Sequence, residues 1–230
     1  MPRPLAIAGA LLLALVAGAT GCAPASRGGG ASPHEVGRST HAVPGADRPL
    51  DASEKARLAR GETIVREHTI DEAEHRWVGG VTYTLIDGPP GQLLALFDDM
   101  DAYRRVLPKT RQAKLVGRDG DDRLVELVQG NALVSAEYTI RVRIDDAAHE
   151  ARFWLEPSRP HSIDDAWGFF RLSPFVSERG EPGVLLTYGV MVDVGPGLVR
   201  ELFEEKVRAA MLGVPQQVRR YFVEGRRALR

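Results

Sequence analysis

The stretch VSAEYTIRVRID, Val134–Asp145, decides the fold. Ala136, Tyr138, Ile140, Val142 and Ile144 stand at one parity; Glu137, Thr139, Arg141 and Arg143 stand at the other. Successive side chains of a strand point to opposite faces, so this is a strand with one apolar and one wet face. Strands of that kind belong to antiparallel sheets packed on one side only.

Downstream, HEARFWLE, AWGFFRLSPF and GVLLTYGVMVDV read as three more strands between polar or Gly/Pro turns. Upstream, TRQAKLVGR and RLVELVQ flank the turn DGDD. Further back, ETIVREHTI has strand-like β-branched content. RWVGGVTYTLID alternates, with Val81, Tyr83 and Leu85 against Thr82 and Thr84, and reads as a half-buried strand. Asp51 and Glu54 have the spacing of a capping box, which predicts a short helix running to about Arg60 and stopped by Gly61.

Two short helices interrupt the strands. Pro89, Pro90 and Gly91 start GQLLALFDDM, and DAYRRVLP is closed by Pro108, because proline disfavours helical geometry in the residue before it. From Leu198 to Leu229 the chain is helical. Leu198, Leu202, Val207, Met211, Val214, Val218 and Phe222 fall near one face, and Gly213 and Pro215 predict a kink.

An antiparallel sheet with one apolar face needs a cover, and the terminal helix is the only element long enough. The expected fold is therefore α+β. A curved antiparallel sheet wraps around the long C-terminal helix, and the two short helices close one end. A bent layer over a single helix leaves interior volume, and ligand pockets typically measure ~300–1,000 Å³.

Composition fits a soluble globular chain. It has 230 residues, 43% hydrophobic and 27% charged, with a formal net charge of -1, so nothing in the balance favours nucleic acid. The single cysteine, Cys22, excludes an internal disulfide and a cysteine-built metal site. Arg3, the apolar run Leu5–Val16 and the small residues before Cys22 have the layout of an export signal; the apolar run is shorter than the ~20 residues a spanning helix takes.

The segment Ala19-Thr20-Gly21-Cys22 resembles a bacterial lipoprotein signal. That resemblance implies lipidation of Cys22 after removal of residues 1–21, and acyl chains anchor at ~0.8 kcal/mol per buried CH₂. With Ala23 next, the expected place is the outer membrane, facing the periplasm. Residues 22–50 are rich in Gly, Ser, Pro and Ala and read as a flexible tether reaching ~5–6 Å × √n. His34 and His41 lie in it. Residues 51–230 form the expected folded domain.

LFDDMDAYRRVLP, then GFFRLSP followed by GVLLTYGVMVD, and the leading GETIV, resemble the START/Bet v 1-like (SRPBCC) helix-grip superfamily. The likeness is greatest to its polyketide cyclase/dehydrase and coenzyme-Q-binding branch, and it covers about residues 51–230. It implies a cavity for a hydrophobic small molecule such as a lipid, quinone, sterol or polyketide, and in a minority of members cyclisation or dehydration. Candidate lining residues are Leu94, Phe97, Tyr103 and Leu107 on the short helices and Met211 on the terminal helix. On the strands they are Tyr138, Ile140, Val142, Phe153, Trp167, Phe169, Arg171, Tyr188 and Val190. Arg171 shares its parity with Trp167 and Phe169; facing inward, it would hold an anionic head group.

The acids of LFDDMDAYRRVLPK lack the mid-loop glycine and distal glutamate of an EF-hand, so they read as helix caps rather than metal ligands. No two histidines stand at i, i+4 on a helix, Ser135 and Ser173 have no evident His–Asp partners, and no phosphate-binding fingerprint is present. No metal and no cofactor is expected. The basic run RRYFVEGRR reads as a solvated helix end that could also meet anionic lipid.

The expected function is binding of a hydrophobic small molecule by a membrane-tethered carrier or sequestering protein. Two other readings stand beside it: a polyketide cyclase or dehydratase, which needs an acid–base pair in the cavity, and an interaction lipoprotein whose interior is filled. Oligomeric state is not set by the sequence.

Overall fold

The structure, a computed structural model, describes residues 42–130, 135–176 and 182–228. The export signal, Cys22 and the tether through His41 lie outside the described residues, and so does Leu229 at the end of the expected terminal helix. The elements in chain order are α1 (Ala52–Ala59), β1 (Ile64–Glu72), β2 (His75–Ile86), α2 (Pro90–Leu94), a 3₁₀ turn (Ala95–Asp98), α3 (Met100–Val106), β3 (Thr110–Asp119), β4 (Asp122–Gly130), β5 (Ser135–Asp145), β6 (Glu150–Leu155), β7 (Asp165–Val176), β8 (Pro182–Asp193), α4 (Leu198–Leu212) and α5 (Val214–Ala228).

The eight strands form one curved, open antiparallel sheet in the order β1-β2-β8-β7-β6-β5-β4-β3. From β3 to β8 each strand pairs with its sequence neighbour. The β1–β2 hairpin then joins the far side of β8, with Val81 opposite Gly189. Gly79 and Gly80 make this join possible. A Cβ at Gly79 would lie 1.9 Å from the Val190 carbonyl oxygen, and one at Gly80, where φ is 141°, 2.0 Å from that of Arg66. Glycines at such close approaches let a sheet bend. At the opposite edge, register shifts between Thr110 and Gln112 and between Leu115 and Gly117 bulge β3.

The chain leaves β8 and folds back over the concave face as α4 and α5, which pack on β2; α4 also meets β8, and α5 meets α3. At Gly213, where a kink is expected, the helical run divides into α4 and α5. The Gly213 N–H still donates to Ala209 O at 3.1 Å, but Pro215 has no N–H to continue the ladder and sits in the first turn of α5. The helix expected from Gly91 to Met100 is likewise split. Its second half is 3₁₀, and Asp99 takes an extended conformation, φ -103° and ψ 101°, to cap α3.

Two expectations are corrected at the N-terminal side. β2 is not half-buried: Val78 to Thr84 are all buried. Its concave face meets α4 and α5, while its convex face lies under α1 and the segment before it. That segment is no tether where the structure describes it. Val43 is 4% exposed and packs with Leu58, Ile64, Val81, Tyr83, Trp167, Phe169 and Met191. Arg66 donates to Arg48 O at 2.7 Å and Pro49 O at 3.0 Å, so the folded unit begins upstream of Asp51. The capping box itself is as expected: Glu54 N donates to Asp51 Oδ1 at 2.8 Å and Asp51 N to Glu54 Oε2 at 2.9 Å.

Candidate functional site: a cavity between sheet and C-terminal helices

The alternation of β5 puts Tyr138, Ile140 and Val142 on the concave face. Leu127 and Gln129 of β4, Phe153 of β6, Ala166 and Phe170 of β7, and Tyr188, Val190 and Val192 of β8 share that face and line a hollow. Met211 of α4 and Val214 and Val218 of α5 roof it. Leu96 and Phe97 of the 3₁₀ turn, Tyr103 and Val106 of α3, Leu107 after it, and Ile163 of the β6–β7 loop complete the wall. The volume is about 90 Å³, below the ~300–1,000 Å³ expected of a ligand pocket. Aromatic rings narrow it. Phe97 stands edge-on to Tyr103 at 6.2 Å and to Phe170 at 5.2 Å, and Phe153 stacks on Tyr188 at 6.1 Å. The Phe153 ring lies where a side chain at residue 168 would be, which the glycine there permits.

The described lining carries no charged side chain. Its polar groups are three phenols and one carboxamide. The Tyr138 hydroxyl donates to Gln129 Oε1, and Gln129 Nε2 donates to Thr110 Oγ1 at 2.9 Å and to Pro108 O at 3.3 Å. The Tyr103 hydroxyl is buried with no hydrogen-bond partner among the described residues. Burial pushes the phenols of Tyr103, Tyr138 and Tyr188 well above the ordinary tyrosine value, so all three stay neutral.

Of the residues proposed from sequence, Phe97, Tyr103, Leu107, Tyr138, Ile140, Val142, Phe153, Tyr188, Val190 and Met211 meet around this hollow. Four do not. Leu94 is packed into the adjoining core with Leu93, Phe170 and Leu172. Trp167 and Phe169 point to the convex face, where they pack with Val81, Tyr83 and Met191. Arg171 follows them: its Nε donates to Glu150 Oε2 at 2.6 Å and its guanidinium lies 4.8 Å from the Phe169 ring centroid. It is therefore not placed to hold a head group in the cavity. Both parities of β7 are apolar, so alternation alone did not say which one faces inward. Phe170 was missed for that reason. Gln129, also missed, had a signal: it is the polar member of the parity set that holds Val125 and Leu127.

The acids of the 96–109 stretch have structural partners. Asp99 Oδ1 accepts from Asp101 N at 2.9 Å and Ala102 N at 3.1 Å, capping α3. Asp98 takes both arms of Arg123, at 2.7 and 3.0 Å, which ties the 3₁₀ turn to β4. Asp101 faces Arg104 at 3.4 Å. Among the described residues, the ligand atoms of His75, Asp164 and Asp193 lie within 4.8 Å of one another. Both Asp193 oxygens already have protein partners, Gly195 N at 2.9 Å on one and His75 Nδ1 at 3.0 Å on the other, so the group pins β2 to the end of β8.

No protein-family model and no curated protein matches the chain. Solved structures do. A STAR-related lipid transfer protein from Xanthomonas axonopodis is 15% identical, with a TM-score of 0.57 over 69% of this chain and 92% of that one. An aromatase/cyclase from Streptomyces sp. R1128 is 15% identical over 68% of this chain and 87% of that one, with a TM-score of 0.43. A START superfamily protein from Mycobacterium smegmatis is 18% identical over 62% and 98%, also at 0.43. At these identities the likeness speaks of architecture. With the sheet order and the helix pair closing its concave face, the likeness to the Xanthomonas structure gives this chain the helix-grip fold.

Proposed function

We propose that this protein binds a hydrophobic small molecule, a lipid, isoprenoid or polyketide-like compound, in the cavity under α4 and α5, and carries or sequesters it while tethered to the membrane through lipidated Cys22. The observation that carries the reading is an apolar hollow left open on the concave face, while the other face of strands β7 and β8 is packed. The Xanthomonas protein, with the same fold, is described as a STAR-related lipid transfer protein, which supports the ligand class.

A hollow of about 90 Å³ holds a ring or a short chain end, not a whole isoprenoid. A larger guest must part the roof from the wall. The Gly213 junction between α4 and α5 and the Asp98–Arg123 tie of the 3₁₀ turn to β4 are the places where that motion is easiest to localise. A cyclase or dehydratase needs an acid–base pair. The described lining has neither carboxylate nor imidazole, which favours binding over catalysis.

Native mass spectrometry of gently purified protein tests the proposal. A co-purified apolar ligand, displaced by larger residues at lining positions, is the expected result. Protein that is empty and takes up no apolar probe would reject it. The anchor is tested separately: Cys22→Ser should move the protein from the membrane to the soluble fraction, and continued membrane association would refute lipidation there.

A further inference from the structure

Resting on the carrier reading, we propose that the buried part of the ligand is uncharged and carries a carbonyl-type oxygen that accepts a hydrogen bond from the Tyr103 hydroxyl. Tyr103 is 5% exposed, lines the cavity, and its hydroxyl meets no acceptor among the described residues. A buried hydroxyl without a partner is costly, and phenylalanine would fill the same space without that cost. The hydroxyl makes sense when a guest supplies the missing acceptor.

The other polar groups settle what the guest must bring. Gln129 has both amide protons and its oxygen engaged, and the proton of Tyr138 is committed to that oxygen. Those two residues satisfy each other, and what the Tyr103 hydroxyl has left to give is its proton, which calls for an acceptor on the ligand. Charge is excluded by the surroundings. The described lining holds no ion, Arg123 is engaged by Asp98, and Arg171 lies on the opposite face against Glu150. A carboxylate or ammonium would enter without a counter-ion, whereas a ketone, ester or quinone oxygen would not need one. Phe97 and Phe170, edge-on to each other in the same wall as Tyr103, offer an aromatic ring on the ligand apolar contact.

Three small probes of equal heavy-atom count separate the possibilities on the full chain: acetophenone, its hydrocarbon counterpart α-methylstyrene, and benzoate. Acetophenone should bind about tenfold tighter than α-methylstyrene, the worth of one net hydrogen bond, and benzoate weakest of all. Tyr103→Phe should bring acetophenone to the level of α-methylstyrene and leave the hydrocarbon within about twofold of its wild-type affinity. The infrared carbonyl stretch of ¹³C-labelled acetophenone gives a direct reading. Bound to wild type it should lie below its position in cyclohexane, and in Tyr103→Phe it should return there. Equal binding of ketone and hydrocarbon, tighter binding of benzoate, or a ketone preference that survives Tyr103→Phe would overturn the inference while leaving the carrier reading standing. If none of the three probes binds, the carrier reading fails, and this inference with it.

Discussion

The two faces of β7 and β8 are built from the same kinds of residue and end differently. On the convex side Trp167, Phe169 and Met191 are buried and pack with Val81 and Tyr83 of β2 and with Val43 and Leu58. Even the backbone yields to the packing: the Phe169 ring occupies the place a side chain at residue 189 would take, 2.4 Å from the ideal Cβ of that glycine. On the concave side Ala166, Phe170, Tyr188 and Val190 face the helix pair across a hollow. Apolar composition alone therefore does not make a cavity. The convex cover is a short helix and an extended strap that settle onto the sheet. The concave cover is a pair of helices that pack on β2 and β8, and the hollow lies beneath Met211, Val214 and Val218.

This contrast predicts opposite penalties for neighbouring residues. Trp167→Ala removes a side chain that is 7% exposed and stands 5.7 Å from the Trp77 ring. It should cost about 3–5 kcal/mol of stability, read by urea unfolding. Its effect on acetophenone binding should stay within about twofold, because the residue faces away from the hollow. A large loss of binding by folded Trp167→Ala protein would show that the two faces act as one layer.

The adjacent change, Ala166→Leu, acts on the other side. Extra methylenes in a full core cost about 1–3 kcal/mol, but here they enter empty space, so stability should change by less than about 1 kcal/mol. Binding of any cavity probe should fall at least about tenfold. Unchanged affinity in an Ala166→Leu variant of normal stability would mean that the ligand lodges elsewhere.

How much of this could be read from sequence varies strand by strand. β5 was legible because its wet face declares itself: Arg141 pairs with Glu156 and with Asp119 at 2.7 Å, and Arg143 with Asp122 at 2.6 Å. With one face charged, the other had to be the core, and Tyr138, Ile140 and Val142 followed. β7 offered no such contrast except Arg171, whose charge marked the outward parity that Trp167 and Phe169 share. The helix stripe from Val207 to Phe222 was visible as a face, yet Val214 and Val218 were not singled out, because periodicity shows what is buried and not what it is buried against. Burial of the 42–50 segment was hidden for a different reason. Its composition is that of a linker, and among residues 42–50 Val43 alone is fully buried.

Two tyrosines on opposite faces sharpen the comparison further. Tyr83 Oη accepts a hydrogen bond from Arg66 Nη1 at 3.2 Å on the convex side, whereas the hydroxyl of Tyr103, a residue of the cavity wall, has no partner among the described residues. The same edit should therefore have opposite signs. Tyr83→Phe should lower the stability of the unliganded protein by about 1 kcal/mol, and Tyr103→Phe should raise it by about 1 kcal/mol, because an unpaired buried hydroxyl is removed. Thermal melts of the two variants decide it. A loss in both would mean that the Tyr103 hydroxyl is satisfied in the free protein.

The smallest effect concerns what holds the convex cover in place. Glu54 of α1 accepts from Arg66 Nε at 3.0 Å and Nη2 at 2.5 Å, and from Asp51 N at 2.9 Å. The Arg66 hydrogen bonds first, then that of the Asp51 backbone, lower its carboxyl from 4.5 to about 2. A carboxylate whose folded pKa is depressed adds stability that is fully present above the unfolded value and is lost as pH falls through the folded one. The melting temperature of wild type relative to Glu54→Gln should therefore be steady above about pH 5 and shrink between pH 4.5 and 2. Probe binding by Glu54→Gln should match wild type at neutral pH, since α1 packs on β1 and β2, which contribute no residue to the described cavity lining. A gap that does not change with pH would mean that α1 is held by Leu58 and Val43 alone, and that the convex side is closed by apolar packing without help from the ion pair.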